Sequence, residues 1–177
     1  MRERLSRGYV QIYTGTGKGK TTAALGLAFR AAGHGMRTYI GQFMKGQRYG
    51  ELDAAQREPL ITIEQYSDEV CCVRPEDVTP EHVAQARQGL ERAREAMRSG
   101  DYDILALDEV NVAIWFGLLD VEEVAAFLDQ RPDGVEVILT GRNAPPELFE
   151  RADLVTEMRE LKHYFHRGVT SRKGIER

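Results

Sequence analysis

Two stretches of this chain hold side chains that can do chemistry together. The first is Thr14-Gly15-Thr16-Gly17-Lys18-Gly19-Lys20-Thr21-Thr22, directly after the apolar Val10-Gln11-Ile12-Tyr13. It follows the pattern G-x-x-x-x-G-K-S/T, with Thr14 where the first glycine usually stands. Such a loop cradles a polyphosphate. Glycines let backbone N–H groups approach phosphate oxygens with no Cβ in the way. A helix that starts at the end of the loop adds its free amides and its dipole. Gly15, Thr16, Gly17, Lys18, Gly19, Lys20, Thr21 and Thr22 are therefore candidate anion-binding residues. The Lys20 ammonium would face the outer phosphates, and the Thr21 hydroxyl could hold Mg2+.

The second stretch is Tyr102-Asp103-Ile104-Leu105-Ala106-Leu107-Asp108-Glu109. An apolar strand that ends in acids puts carboxylates on the carboxyl edge of a sheet, where open α/β sheets bind ligands. Beside a phosphate loop, Asp108 and Glu109 are candidate Mg2+ ligands, directly or through water. Spacing alone leaves open which of the two is nearer the metal. Thr140-Gly141-Arg142 ends another apolar strand. Its guanidinium either meets phosphate or pairs with a neighbouring acid.

Regular elements must hold these groups in place. Strands are predicted at 8–13, 37–43, 61–66, 103–107, 135–140 and 154–158. Helices are predicted from Lys20 to Ala32, from Pro80 to Ser99, from Asp120 to Gln130, and briefly after Pro145-Pro146. The first helix is apolar nearly all round, which predicts a helix lying inside against the sheet. The second has Thr79 as cap, Pro80 in the first turn, and Val83, Ala86, Leu90, Ala93 and Met97 at spacings of three and four. Asp120 and Glu123 form a capping-box pattern. Residues 44–57 carry no assignable period. Trp115, Phe116 and Leu118 are expected in the core or at an interface, with an apolar wall for a flat ligand as the alternative. Alternating strands and helices predict an α/β fold, a mostly parallel sheet in three layers with helices on both faces. A single domain over residues 1–177 is expected.

Bulk properties narrow the class. Of the 177 residues, 42% are hydrophobic and 29% charged, ordinary for a globular protein with a real core. A net charge of −4 gives no general attraction to nucleic acid or an anionic membrane. No apolar run approaches the ~20 residues of a membrane span, and the first residues hold no apolar signal core. A cytoplasmic location follows. The only cysteines are the neighbours Cys71 and Cys72, expected to be reduced and buried. The basic tail from Lys162 contains Phe165, Val169 and Ile175, which favour burial, and Gly168 and Gly174, which suggest defined turns. An ordered segment near the anion site is expected there.

Taken together, these pieces resemble the ATP:corrinoid adenosyltransferases of the cob(I)alamin or cob(I)yrinic acid a,c-diamide type. The loop Thr14–Ala24 carries the resemblance, with Gly41-Gln42-Phe43-Met44-Lys45-Gly46, Leu107-Asp108-Glu109-Val110-Asn111, Leu139-Thr140-Gly141-Arg142 and the tail from Lys162-His163 to Gly174-Ile175-Glu176. It spans Gly8 to Glu176. The resemblance implies a RecA-like P-loop fold, a homodimer, Mg2+ with ATP as co-substrate, a reduced corrinoid as substrate and a corrinoid-reducing flavoprotein as electron donor. Cobalt(I) would attack C5′ of ATP, releasing tripolyphosphate. Lys20, Thr21 and Glu109 would be the catalytic residues. Gly15 to Thr22 and Arg142 would bind the triphosphate, and Thr21, Asp108 and Glu109 would hold the metal. In well-known relatives, aromatic residues displace the corrinoid's lower ligand; the corresponding region here reads Val70-Cys71-Cys72-Val73, without aromatics. Some relatives also cover the corrinoid with a longer amino-terminal arm. Two other readings use the same loop: a phosphotransferase or ATPase attacking the γ-phosphorus, and a nucleotide-gated binder without turnover. No arginine-rich lid lies in mid-chain to favour the former.

Overall fold

The computed structural model describes residues 5–67 and 74–177. Cys71, Cys72 and the Val70–Val73 stretch lie outside them. The strands are β1 (Val10–Thr14), β2 (Thr38–Gln42), β3 (Ile61–Gln65), β4 (Ile104–Asp108), β5 (Glu136–Thr140) and β6 (Leu154–Glu157). The helices are α1 (Lys20–Ala32), α2 (Gly50–Ala55), α3 (Pro80–Ser99), α4 (Val110–Trp115) and α5 (Val121–Asp129). Every predicted strand is present, its ends moved by one or two residues, the usual scatter at frayed termini.

All six strands pair in parallel in the order β3-β2-β4-β5-β1-β6. This is an α/β sheet of the RecA-like P-loop kind, with β5 inserted between the loop-bearing β1 and the acid-bearing β4. Strands buried on both faces need apolar residues on both, and these strands have them. On one face Ile12, Tyr39, Leu105, Leu107, Val137 and Leu139 pack with Ala86, Leu90, Ala93 and Met97 of α3 and with Val124 and Phe127 of α5. On the other, Ile40, Ile104, Ala106 and Ile138 pack with Ala24, Ala28 and Ala31 of α1.

The expectation that α1 lies inside is corrected here. Only its Lys20–Ala24–Ala28–Ala31 stripe is buried, and Phe29 is 75% exposed. Alanines let the helix sit close to the sheet, with Leu25 and Leu27 half-buried at its flanks and Phe29 facing away. The helix is covered on one side only.

Helix α3 has its expected ends. The Thr79 hydroxyl accepts from the His82 amide, and Gly100 closes the helix at φ 77°. At α5, the Asp120 amide donates to the Glu123 carboxylate at 2.8 Å. The segment after Pro145 forms a 3-10 helix, Pro146–Arg151, rather than an α-helix. Helices α2 and α4 carry no sequence signal, since at six residues each neither shows a period.

Two glycines make a paired test of packing. Gly89 in α3 lies against Tyr66, where a Cβ would come within 2.3 Å of the ring; Gly26 in α1 has nothing within 4 Å. Gly26→Ala is expected to stabilise by about 0.5–1 kcal/mol through helix propensity and lower unfolded-state entropy. Gly89→Ala, with the same propensity gain, is expected to destabilise by about 1–3 kcal/mol through overpacking. Urea unfolding midpoints check both. A stabilised Gly89→Ala would contradict the Tyr66 packing.

Candidate nucleotide and corrinoid site

Parallel strands bring their carboxyl ends to one edge, and the candidate residues lie there. The register sets Gln42 of β2 beside Asp108 of β4, and Tyr13 of β1 beside Thr140 of β5. The loop Gly15–Gly19 runs from β1 to α1 across this edge. Gly15 and Gly19 take φ 96° and 124°, where a side chain would be strained. Gly15 and Gly17 have a second reason to be glycine: a Cβ on either would fall within 3 Å of the Met158 carbonyl just past β6. That carbonyl accepts from the Gly17 amide at 2.7 Å. One loop amide is therefore turned toward the neighbouring chain segment.

Lys20 folds back over the loop and donates to the carbonyls of Gly15 and Gly17, each at 2.7 Å. It is only 7% exposed. Burial pushes its ammonium below the usual lysine range, with Glu109 and Asp108 opposing the shift and Arg142 adding to it.

Asp108 is fully buried. One oxygen accepts from Thr21 Oγ1 at 2.8 Å and from Thr140 Oγ1 at 2.7 Å. The other accepts from Lys45 Nζ at 2.7 Å and from Gln42 Nε2 at 3.3 Å. Burial pushes the Lys45 ammonium down, but the carboxylates of Asp108, Glu51 and Glu109 outweigh it and leave the pKa above the usual lysine range. Glu109 takes φ 60° at the start of α4, its amide donating to Thr140 Oγ1 at 2.9 Å. Burial raises its carboxyl pKa, and the adjacent Asp108 raises it further; Lys45, Lys20 and Arg142 pull the other way.

The two acids have different places. Asp108 is behind the site, its oxygens occupied by donors. Glu109 lines a cavity of about 880 Å3 with Thr16 to Thr22, Lys45 and Arg142. Gly15 is not among the lining residues. Arg142 is exposed and makes no ion pair with a described carboxylate. The cavity's far wall is apolar: Leu25, Phe29, Ala54, Ala55, Ile61 and Ile63. The tail closes part of its mouth through His163 and Gly174 to Arg177.

Among the described residues no group of three or more His, Cys, Asp and Glu side chains could hold a metal alone. Mg2+ beside a polyphosphate needs fewer, because phosphates and water fill the remaining positions. The donor set fits that case. Thr21 spends its proton on Asp108, leaving its lone pairs for a hard cation, and the Lys45 ammonium sits as a stand-in cation 3.5 Å from the same oxygen.

Comparisons with known proteins identify the family. The family model ATP:corrinoid adenosyltransferase BtuR/CobO/CobP matches residues 6–177. The chain belongs to this family. The corrinoid adenosyltransferase of a Sinorhizobium species is 38% identical over 179 residues, covering 96% of this chain and 80% of that one. That of Pseudomonas aeruginosa is 35% identical over 171 residues, 96% of this chain and 84% of that one. That of Escherichia coli (strain K12) is 34% identical over 182 residues, 96% and 86%.

Some residues of this corrinoid adenosyltransferase site are invisible to motif reading. Gln42 and Lys45 lie in the Gly41–Gly46 stretch, whose motif alone gives them no role. Their signal was positional, since a strand ending at Gln42 must end on the same edge as one ending at Asp108. The apolar wall was hidden in α1 and β3, whose alternating residues read as core. Leu118 is core, as expected, but Trp115 is 55% exposed and does not line the cavity. The tail is ordered beside the loop, yet Phe165 and Ile175 are exposed. Polar contacts hold it instead: Arg172 lies 4.7 Å over the Tyr164 ring, and both side chains bond the Glu176 carboxylate. Lys18 Nζ reaches the Ile175 carbonyl at 3.3 Å.

This clamp has a pH signature. Arg172, and then the Tyr164 hydroxyl, hold the Glu176 carboxyl at about 2, against an ordinary 4.5. A depressed acid favours the docked tail above its unfolded pKa, and the benefit disappears as pH falls through the folded value. NMR titration of the Glu176 carboxyl carbon is expected to give a midpoint near 2 in the native chain. In Arg172→Ala the midpoint is expected to move back toward the usual glutamate range. A native midpoint near 4.5 would mean that the clamp does not form in solution.

Proposed function

We propose that this protein transfers the 5′-deoxyadenosyl group of ATP to the cobalt(I) of a reduced corrinoid and releases tripolyphosphate. The cavity carries the reading: a glycine loop with Lys18 and Lys20 lines it together with the apolar Leu25, Phe29, Ala54, Ala55, Ile61 and Ile63, and its volume is about 880 Å3. That volume is at the upper end for small-molecule sites.

The chain's residues divide the work. The amides of the Gly15–Thr22 segment other than that of Gly17, together with the Lys20 ammonium, hold the triphosphate, and Arg142, in no ion pair with a described carboxylate, adds a further cation. Thr21, with Asp108 behind it and Glu109 at the cavity wall, would hold Mg2+. Bound there, Mg2+ neutralises charge on the departing polyphosphate. Lys20 now donates to two loop carbonyls, and a phosphate entering the loop offers its ammonium a better acceptor. Cobalt(I) forms the new bond to C5′ as the C5′–O5′ bond breaks, and the electron pair leaves with the triphosphate. So strong a nucleophile needs no general base. The protein supplies orientation and charge stabilisation. Leu25, Phe29, Ile61 and Ile63 form the apolar face on which the corrin ring would rest.

The reading also includes a homodimer, a corrinoid-reducing flavoprotein as electron donor and a cytoplasmic setting. In support of a dimer, β6 is an outer edge strand with every residue exposed, Leu154 and Val155 included. Among the described residues no helix is long and apolar enough to cross a membrane.

The test is anaerobic incubation with Mg2+, ATP and chemically reduced cobalamin. The expected outcome is the light-sensitive absorbance change of a carbon–cobalt bond, with stoichiometric tripolyphosphate. Lys20→Ala is expected to lower that rate at least a hundredfold with an unchanged circular dichroism spectrum. ADP as the product, or full activity in Lys20→Ala, would refute the assignment.

A further inference from the structure

The acids at the sheet edge already have a cation. Lys45 Nζ lies 2.7 Å from Asp108 and 3.7 Å from Glu51, with side-chain exposure of 14%. It is also 3.5 Å from Thr21 Oγ1. These contacts put the ammonium against Thr21, which would meet the metal, and against Asp108 behind it. Gln42 ties the cluster together, donating to Glu51 at 3.1 Å and to Asp108 at 3.3 Å. Two further partners are already within reach of the ammonium and would keep it paired if it left Thr21 and Asp108: Glu51 at 3.7 Å and the Tyr49 ring at 5.3 Å.

Charge balance follows from this geometry. Lys20, Lys45 and Arg142 face Asp108, Glu109 and Glu51, so the cluster is formally neutral with nothing bound. A bare divalent ion entering beside Lys45 would meet an ammonium at contact distance and leave the cluster with two excess positive charges in a partly buried place. A polyphosphate arriving with the ion removes that excess.

We propose that Lys45 is a resident counter-ion occupying the cation position between Thr21 and Asp108, so that the divalent metal enters only together with a polyphosphate, and the ammonium then moves to Glu51 and the Tyr49 ring. This rests on the reading of the site as one for a metal–triphosphate. Lys45 is a positioning residue: before loading it holds Asp108 through one oxygen while the other faces Thr21, and it suppresses metal binding without nucleotide.

The experiment uses Mn2+ as the probe, followed by electron paramagnetic resonance, with tripolyphosphate and no corrinoid. The native protein is expected to bind Mn2+ weakly alone and tightly with tripolyphosphate. Lys45→Met and Lys45→Gln are expected to bind Mn2+ alone at least tenfold more tightly than the native protein, and Lys45→Arg to stay weak. Unchanged Mn2+ affinity in Lys45→Met and Lys45→Gln, with tripolyphosphate still bound by the native protein, overturns the proposal and leaves the phosphate site standing. No binding of tripolyphosphate to the native protein with Mn2+ overturns both. A measurement on the native chain is independent of how the variants fold. The Lys45 ammonium resonance in 1H–15N spectra is expected to stay in place with Mg2+ alone and to shift when Mg2+ and tripolyphosphate are added together. A shift with Mg2+ alone overturns the proposal.

Discussion

A carboxylate with no exposure to water holds this structure's working edge together. Burying the charge of Asp108 would be costly unless every lone pair found a donor. Four donors converge on it: Thr21 from α1, Thr140 from β5, Gln42 from β2 and Lys45 from the segment after β2. The strand order makes this possible, because β4 lies between β2 and β5 and all three end at the same level. Losing one donor would leave a buried acceptor short and loosen the loop, the sheet edge and the Lys45 segment together. The interaction that anchors the fold's edge thereby also aims the Thr21 hydroxyl.

From that anchor the site separates into a charged end and an apolar end. The charged end is set by backbone. Gly15 and Gly17 must lack side chains because the Met158 carbonyl presses on the loop, and the same contact fixes the loop's shape without any ligand. The apolar end is set by what α1 leaves uncovered. A helix that buries only its alanine stripe turns Leu25 and Phe29 toward the cavity, opposite Ile61 and Ile63 of β3. A charged end and an apolar wall in one cavity are what the proposed reaction needs, with a polyphosphate leaving group and a nucleophile carried by a large flat ring. The tail's polar clamp of Tyr164, Arg172 and Glu176 folds the last residues over the mouth without a core of their own.

Much of this was legible in residue order. The six strands follow from apolar runs between turn residues, the ends of α3 from Thr79-Pro80 and Ser99-Gly100, and the phosphate loop from glycines that no core packing would require. The acids after β4 and Arg142 after β5 were placed at the carboxyl edge by the logic of parallel sheets, and they are there. Helices α2 and α4 were not legible, since six residues give less than two turns and no period. The helix expected after Pro145-Pro146 is there but is 3-10, Pro146–Arg151, a distinction that hydrogen-bond partners decide and residue types do not.

The sequence by itself determined the alternation of strands and helices, the glycine-rich loop between β1 and α1 and the presence of carboxylates at the same sheet edge, because those depend on local chemistry and spacing. Only the tertiary structure decided that Asp108 sits behind the site while Glu109 faces the cavity. Adjacent residues differ there by one backbone turn into the left-handed region, and neighbours from three distant elements choose between them. It alone decided that Lys45 lies against Asp108, across 63 positions of chain. It also made Phe29 a cavity wall instead of core, because what covers a helix face is set by what packs on it.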